Sequence, residues 1–312
     1  MKSLFCFLFA LTSLHGFSQT EKLFYYSEND SLIGVKNEKG QVIIPAKYCL
    51  MSFATIKNNP IKENVILFWI AKEGPKAYDR KGNFLFTPYI FDNGFDDFQE
   101  GCMRFTENKK IGLANKNGTV VIPAKYDWIS PVTFGIVNYC NGCYWDRSKD
   151  EEHPALVGGT WGYLDKAGNE IALTRIRNHP KDIKIKNNEF IPYQFRYTAK
   201  EIGILDFFEK RKELIITINH LVYPKENFSF EITERPTESE PYYIIRSFEL
   251  LEGYAVGSNY YDDFQNFKVS ADGKKYYVTH IDLVDHKEYS EYVARKTEVD
   301  KWIQKELRAV KK

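Results

Sequence analysis

The sharpest chemical motif in this chain is Cys140-Asn141-Gly142-Cys143. Asn-Gly is the preferred pair for a two-residue type I′ hairpin loop, so cysteines on either side would face each other across a strand pair, with Tyr139 and Tyr144 outside them. Their Cα atoms would stand about 5.5 Å apart, a separation a disulfide accepts. A redox pair would want the first cysteine at a helix N-terminus, whereas this stretch reads as strand-turn-strand. A metal reading needs His153 and either Cys102 or His179, and a second Cys-x-x-Cys or His-x-x-x-His pair is missing. Staple, redox pair and metal ligand therefore stay open. Cys49 and Cys102 either pair with each other or sit as buried thiols.

Other groupings are less specific. Asp92, Asp96, Asp97 and Glu100 lack the Asp-x-Asp-x-Asp spacing of a calcium loop and read as solvated carboxylates. His280 and Asp282 share one face of an expected strand, with Asp285 and His286 following, and read as plain polar surface, as a ligand pair, or as a general base with its orienter in a hydrolase-type site. Among the aromatics, Trp161 and Tyr126 are assigned to the core. Tyr144 and Trp145, with His153, are candidates for a binding surface, because they lie in an insertion spanning 140–159 and insertions in one repeat commonly map to a binding face. No catalytic residue, metal site or cofactor fingerprint is read.

The elements that must position these residues come from internal repetition. Ile33–Tyr48 returns nearly residue for residue as Ile111–Tyr126. A third copy, Tyr78–Asp92, carries one inserted residue, and a fourth, Thr160–Leu173, keeps only the first half. Each copy predicts a short strand, a tight turn at Asn/Asp-x-x-Gly, then an apolar strand that ends at a proline. The turn glycines are Gly40, Gly82, Gly118 and Gly168. One such module is too small to bury its apolar face, so neighbours must stack.

The order Gly-apolar-x-Asp/Asn-x-x-Gly, apolar strand, Ile-Pro-x-x-Tyr-Asp, then Phe98-Gln99-Glu100-Gly101, together with Trp161-Gly162-Tyr163-Leu164-Asp165, resembles the bacterial WG-repeat family over roughly residues 24 to 178. The resemblance implies β-rich repeats of exported and envelope proteins that act as interaction scaffolds, with no established catalytic residues.

Beyond Pro180 the repeat disappears. Stretches at 189–197, 213–218, 242–248, 267–269 and 275–281 read as strands, residues 235–241 as an exposed loop, and about 289–310 as a helix whose Val299, Ile303, Leu307 and Val310 share a face. Residues 180–312 are expected to form a smaller α+β domain after the array at 24–178, which makes the fold class mainly β.

Lys2, the apolar run Leu4–Leu11 and the small residues Gly16 and Ser18 form the three-part pattern of a secretory signal peptide over 1–18. Its apolar core falls short of the roughly 20 residues a spanning helix needs, and no later stretch supplies a transmembrane segment. The chain has 43 basic and 42 acidic residues, without a basic cluster, so nucleic acid is excluded as a partner. The expected protein is an exported, non-enzymatic scaffold that binds a protein or glycan partner of the cell envelope without a cofactor. Its rivals are an enzyme sited around His280 and a periplasmic thiol-disulfide protein using Cys140 and Cys143.

Overall fold

The computed structural model describes residues 21–28, 32–48, 60–70, 72–91, 94–219, 227–249, 266–285 and 290–310. The signal segment, Cys49 and His286 lie outside them. The fold is mainly β, as a succession of small antiparallel sheets that ends in a helix.

The first repeat is the meander β1 (Leu23–Glu28), β2 (Leu32–Asn37) and β3 (Val42–Tyr48). The second is β4 (Ile66–Ile70), β5 (Gly74–Tyr78) and β6 (Phe84–Pro88), followed by the small pair β7 (Ile90–Phe91) and β8 (Gly94–Phe95). The third, β9 (Cys102–Glu107), β10 (Lys110–Asn115) and β11 (Val120–Tyr126), joins the second in one six-stranded sheet through β6 and β9. The short β12 (Trp128–Ile129) then pairs with the long hairpin β13 (Ile136–Asp146) and β14 (Ala155–Asp165).

All four repeat turns are built alike. The side-chain oxygen of Asn37, Asp79, Asn115 or Asp165 accepts the amides two and four residues on, at 2.8–3.1 Å. The turn glycine donates back to the carbonyl of the same Asn or Asp. The glycine φ of 80–86° is left-handed, which side chains resist. The glycine is also where repeats stack. A Cβ would stand 2.6 Å from the Ile43 carbonyl at Gly82, 2.6 Å from Leu85 at Gly118 and 3.1 Å from Ile122 at Gly168, in each case the third strand of the preceding repeat.

The apolar strand of the second repeat ends at its proline, Pro88, as expected, but those of the first and third do not. β3 and β11 run through Pro45 and Pro123 to Tyr48 and Tyr126, because the register slips there: Val35 faces Ile44 while Ile33 faces Tyr48, and Leu113 faces Ile122 while Ile111 faces Tyr126. The proline falls in a bulge, where its missing N–H costs no ladder bond. The bulged strand presses on the facing glycine. A Cβ on Gly34 or Gly112 would collide with the carbonyl of Ile44 or Ile122 and lie 2.7 Å from the amide of Ala46 or Ala124. The repeat's glycine and its proline are thus two halves of one device.

After residue 165 the fourth repeat has no third strand of its own, only isolated bridges from Leu164 to Glu170 and from Thr174 to Phe190. The pair β15 (Ile183–Lys184) and β16 (Phe190–Ile191) follows, so the strand expected over 189–197 is largely irregular chain. Then come α1 (Ala199–Glu209) and α2 (Lys212–Ile218), and the sheet β17 (Phe228–Glu234), β18 (Tyr242–Glu249), β19 (Asn266–Ser270), β20 (Tyr276–Asp285) and β21 (Ser290–Glu298) in sequential order, before α3 (Val299–Val310). Two expectations are corrected. Residues 213–218 form helix α2, because Ile215 and Ile218, three apart, drop into the core with Phe208. Residues 290–298 pair with β20, so the last helix starts at Val299.

The three helices cover one face of this sheet through Phe230, Ile232, Ile245 and Phe267. The opposite face of β17 carries Ser229, Glu231 and Thr233, which are also buried. Hydrogen bonds tie this side to the repeats: Arg246 to Gln99 (2.8 Å), Lys166 to the Thr233 carbonyl (2.9 Å) and Lys116 to Glu234 (2.8 Å).

Candidate interaction surface

The β13–β14 hairpin is the arm that carries the cysteine motif, and the motif is not its turn. β13 runs straight through Cys140–Cys143, paired with β14 from Ile136 opposite Asp165 out to Asp146 opposite Ala155. The hairpin loop expected at Asn141-Gly142 is therefore displaced to residues 147–154. A local kink brings the cysteines together instead, with Gly142, Gly158 and Gly159 all left-handed. Cys140 and Cys143 are joined as a disulfide with Cα atoms 6.0 Å apart, well inside the roughly 10 Å that three steps of extended strand would span. Gly159 lies against the bridge, where a Cβ would stand 2.7 Å from the Cys140 sulfur.

Asp127, the acidic residue that follows the repeat tyrosine, anchors the kink. It accepts the Lys110 ammonium at 2.6 Å and the Gly142 amide at 2.7 Å, and those two bonds hold its carboxyl below the usual range. Trp128, Cys140 and Trp161 occupy one row across the three strands. Their side chains share a face, and the indoles meet at 5.6 Å with Cys140 wholly buried in the same row. Trp161 is not in the core, contrary to expectation. It is 43% exposed, its indole N–H donating to the Gly158 carbonyl, whereas Tyr126 is buried as expected and packs on Tyr139 at 4.7 Å.

Beyond the bridge the arm is a two-stranded ribbon. Tyr144 is 62% and Trp145 50% exposed, and as sequence neighbours on a strand they face opposite sides. His153 sits in the loop, exposed, with Nδ1 3.5 Å from Asp150. Tyr144, Trp145 and His153 thus share the arm without forming one flat platform. Cys102 is a free thiol in the third repeat's core, pushed up to about 11 by burial and so unreactive. His179 stacks on Tyr193 at 4.4 Å. Among the described residues no group of three or more His, Cys, Asp or Glu side chains is placed to hold a metal ion.

Of the acidic residues read as solvated, Asp92 lies outside the described residues, and two of the other three are buried. Asp96 takes a two-pronged bond from Arg104 (2.6 and 3.1 Å), whose guanidinium lies 4.4 Å from the Tyr89 ring. Glu100 is the other. The described part of the His280 group is backbone strand, with His280 opposite Arg295, and the side chains of Asp282 and Asp285 lie outside the described residues.

Two features had no counterpart in the sequence reading. Glu231 is buried and takes bonds from the hydroxyls of Tyr193, Tyr197 and Ser229 and from Lys181, at 2.5–2.7 Å. Burial and the Glu231 charge raise both tyrosines, so they stay neutral donors. With every lone pair taken, this network clamps the 181–197 segment to β17 and leaves no group free for chemistry. The other feature is a row of exposed apolar side chains two residues past the turn glycine, Val42, Phe84 and Val120. Phe84 and Val120 border a groove of about 740 Å³ with Phe105 and Pro123.

The bulge, the turn and the stacking contact recur together in the stretch that begins at Ile111, and residues 111–137 match the model of the WG-containing repeat. The chain carries a WG repeat. No curated protein matches the sequence. A solved chain described as a crystal structure of the eukaryotic initiation factor aligns at 9% identity and a TM-score of 0.19, covering 91% of this chain and 50% of the other, so this chain spans half the length of that one. Among the described residues no helix is long and apolar enough to cross a membrane.

Proposed function

We propose that this chain is an exported, non-enzymatic interaction protein whose WG-repeat array holds the β13–β14 arm out as the surface that grips a protein or glycan partner. The carrying observation is that Tyr144, Trp145 and Trp161, large aromatics that bind well when desolvated, stand half or more exposed or nearly so on a ribbon braced by a disulfide at its base. A braced ribbon loses little conformational freedom on binding, which favours affinity. The loop beyond carries Asp146, Asp150, Glu151 and Glu152 against Arg147 and Lys149, so the favoured partner surface is basic or neutral. Thiol-disulfide exchange is the weaker reading, since Cys140 is enclosed and only the half-buried Cys143 offers a sulfur to attack.

The test places a photo-crosslinking phenylalanine analogue at position 144 of the full chain and exposes it to an envelope extract and to a panel of immobilised glycans. One partner crosslinked at 144, and lost with Y144A/W145A, supports the reading. A partner captured equally by the double variant, with no crosslink at 144, overturns it.

A further inference from the structure

Two turns of the array share one design and face each other. Gln99-Glu100-Gly101-Cys102 and Thr133-Phe134-Gly135-Ile136 each close through a reciprocal pair of backbone bonds between their outer residues, at 2.8–3.0 Å. In both, the two central residues are left-handed, with φ of 49° and 80° in the first and 54° and 70° in the second. The Gly135 amide of the second turn donates to Glu100 Oε2 of the first at 3.0 Å. Glu100 Oε1 is buried without a hydrogen-bond partner, a costly state for a carboxylate oxygen.

Lys166 from the turn after β14 and Arg246 from β18 act on Glu100, while Lys116 from the β10–β11 turn and Glu234 from β17 act on the neighbouring Cys102 thiol. Glu234 lies over Gly101, 3.0 Å from where a Cβ would stand, and Arg246 holds Gln99. Burial pushes the Glu100 carboxyl up, against the opposing pull of Lys166, Arg246 and the second turn's amides. Glu100 therefore sits where the third repeat, the arm's root and the C-terminal sheet meet.

We propose that Glu100 is a proton-operated latch at this junction. Protonated on Oε1, it keeps the 133–136 turn and strands β17 and β18 closed on the array; losing that proton to water leaves a bare buried carboxylate and loosens them. The sign follows from linkage. A carboxyl raised in the folded state stabilises fully below the ordinary carboxylate range, and that stabilisation drains away as pH climbs through the raised value. The arm's root would then be tighter in mildly acidic surroundings than in alkaline ones.

Side-chain carboxyl NMR on the full chain reads the latch directly. The Glu100 resonance is expected to titrate above the ordinary 4.3, with protection of the Gly135 amide falling as pH climbs from there to that midpoint and levelling off beyond it. The E100Q variant keeps an acceptor for Gly135 and cannot ionise, so its protection should lose this dependence. A Glu100 midpoint at or below 4.3, or an E100Q chain that keeps the dependence, overturns the proposal. Should E100Q fail to fold, the titration of the unaltered chain decides alone.

Discussion

The turns at 99–102 and 133–136 have the same backbone and different employment. In the first, the second residue is Glu100, whose carboxyl oxygen Oε2 accepts the amide of the next turn and ties repeat to repeat. In the second, the same place holds Phe134, fully buried with its ring 5.2–5.7 Å from those of Tyr193, Phe195 and Phe248. One side chain in a constant turn thus chooses between continuing the array and ending it. A carboxyl group suits a turn that meets a second turn whose buried amide needs an acceptor. An aromatic suits a turn followed by an apolar wall. The left-handed backbone at both residues was kept while the side chain changed, so the turn geometry belongs to the repeat and the docking belongs to the residue.

The comparison is most easily broken at Phe134. F134A should cost about 3–5 kcal/mol, the range for emptying a buried aromatic site, and urea unfolding followed by tryptophan fluorescence would read it. Next, C140S/C143S opens a loop of four residues and should cost only about 2 kcal/mol on chain-entropy grounds, with hydrogen exchange rising in 140–160 and not in repeats one to three. G112V forces the β11 bulge off its facing strand, an overpacking loss of about 1–3 kcal/mol in thermal unfolding, and G34V should match it if the bulges are equivalent. K116A, which removes a half-exposed partner of Glu234 at the same junction, should cost less than about 1 kcal/mol and vanish in high salt.

What could be read in the sequence was periodic. The repeats, their turns and the mainly β class follow from Asn/Asp-x-x-Gly recurring beside an apolar strand. What could not be read depended on partners far along the chain. Asn141-Gly142 is a strong local turn signal, and it loses to a ladder whose other strand, with Gly158 and Gly159 to make room, lies some seventeen residues on. The β-branched run at 213–218 looks like strand until its core neighbours are known. A readable helix signal stood just before it, since Thr198 and Glu201 form a capping box at the start of α1. The burial of Asp96 and Glu100 had no local mark, because Arg104 and the Gly135 amide come to them only through the fold. Of the arm, the cysteine pairing and the exposure of Tyr144 and Trp145 were legible, and the indole row of Trp128 and Trp161 at the bridge was not.

Hydrogen exchange on the intact chain, compared with E100A and F134A, tests most directly whether the two turns do different work. The account predicts that F134A raises exchange in β16, β17 and β18 while repeats one to three keep their protection, and that E100A raises it first at 133–136. Loss of protection spread evenly through the array in both variants, or the same local pattern in both, would contradict it.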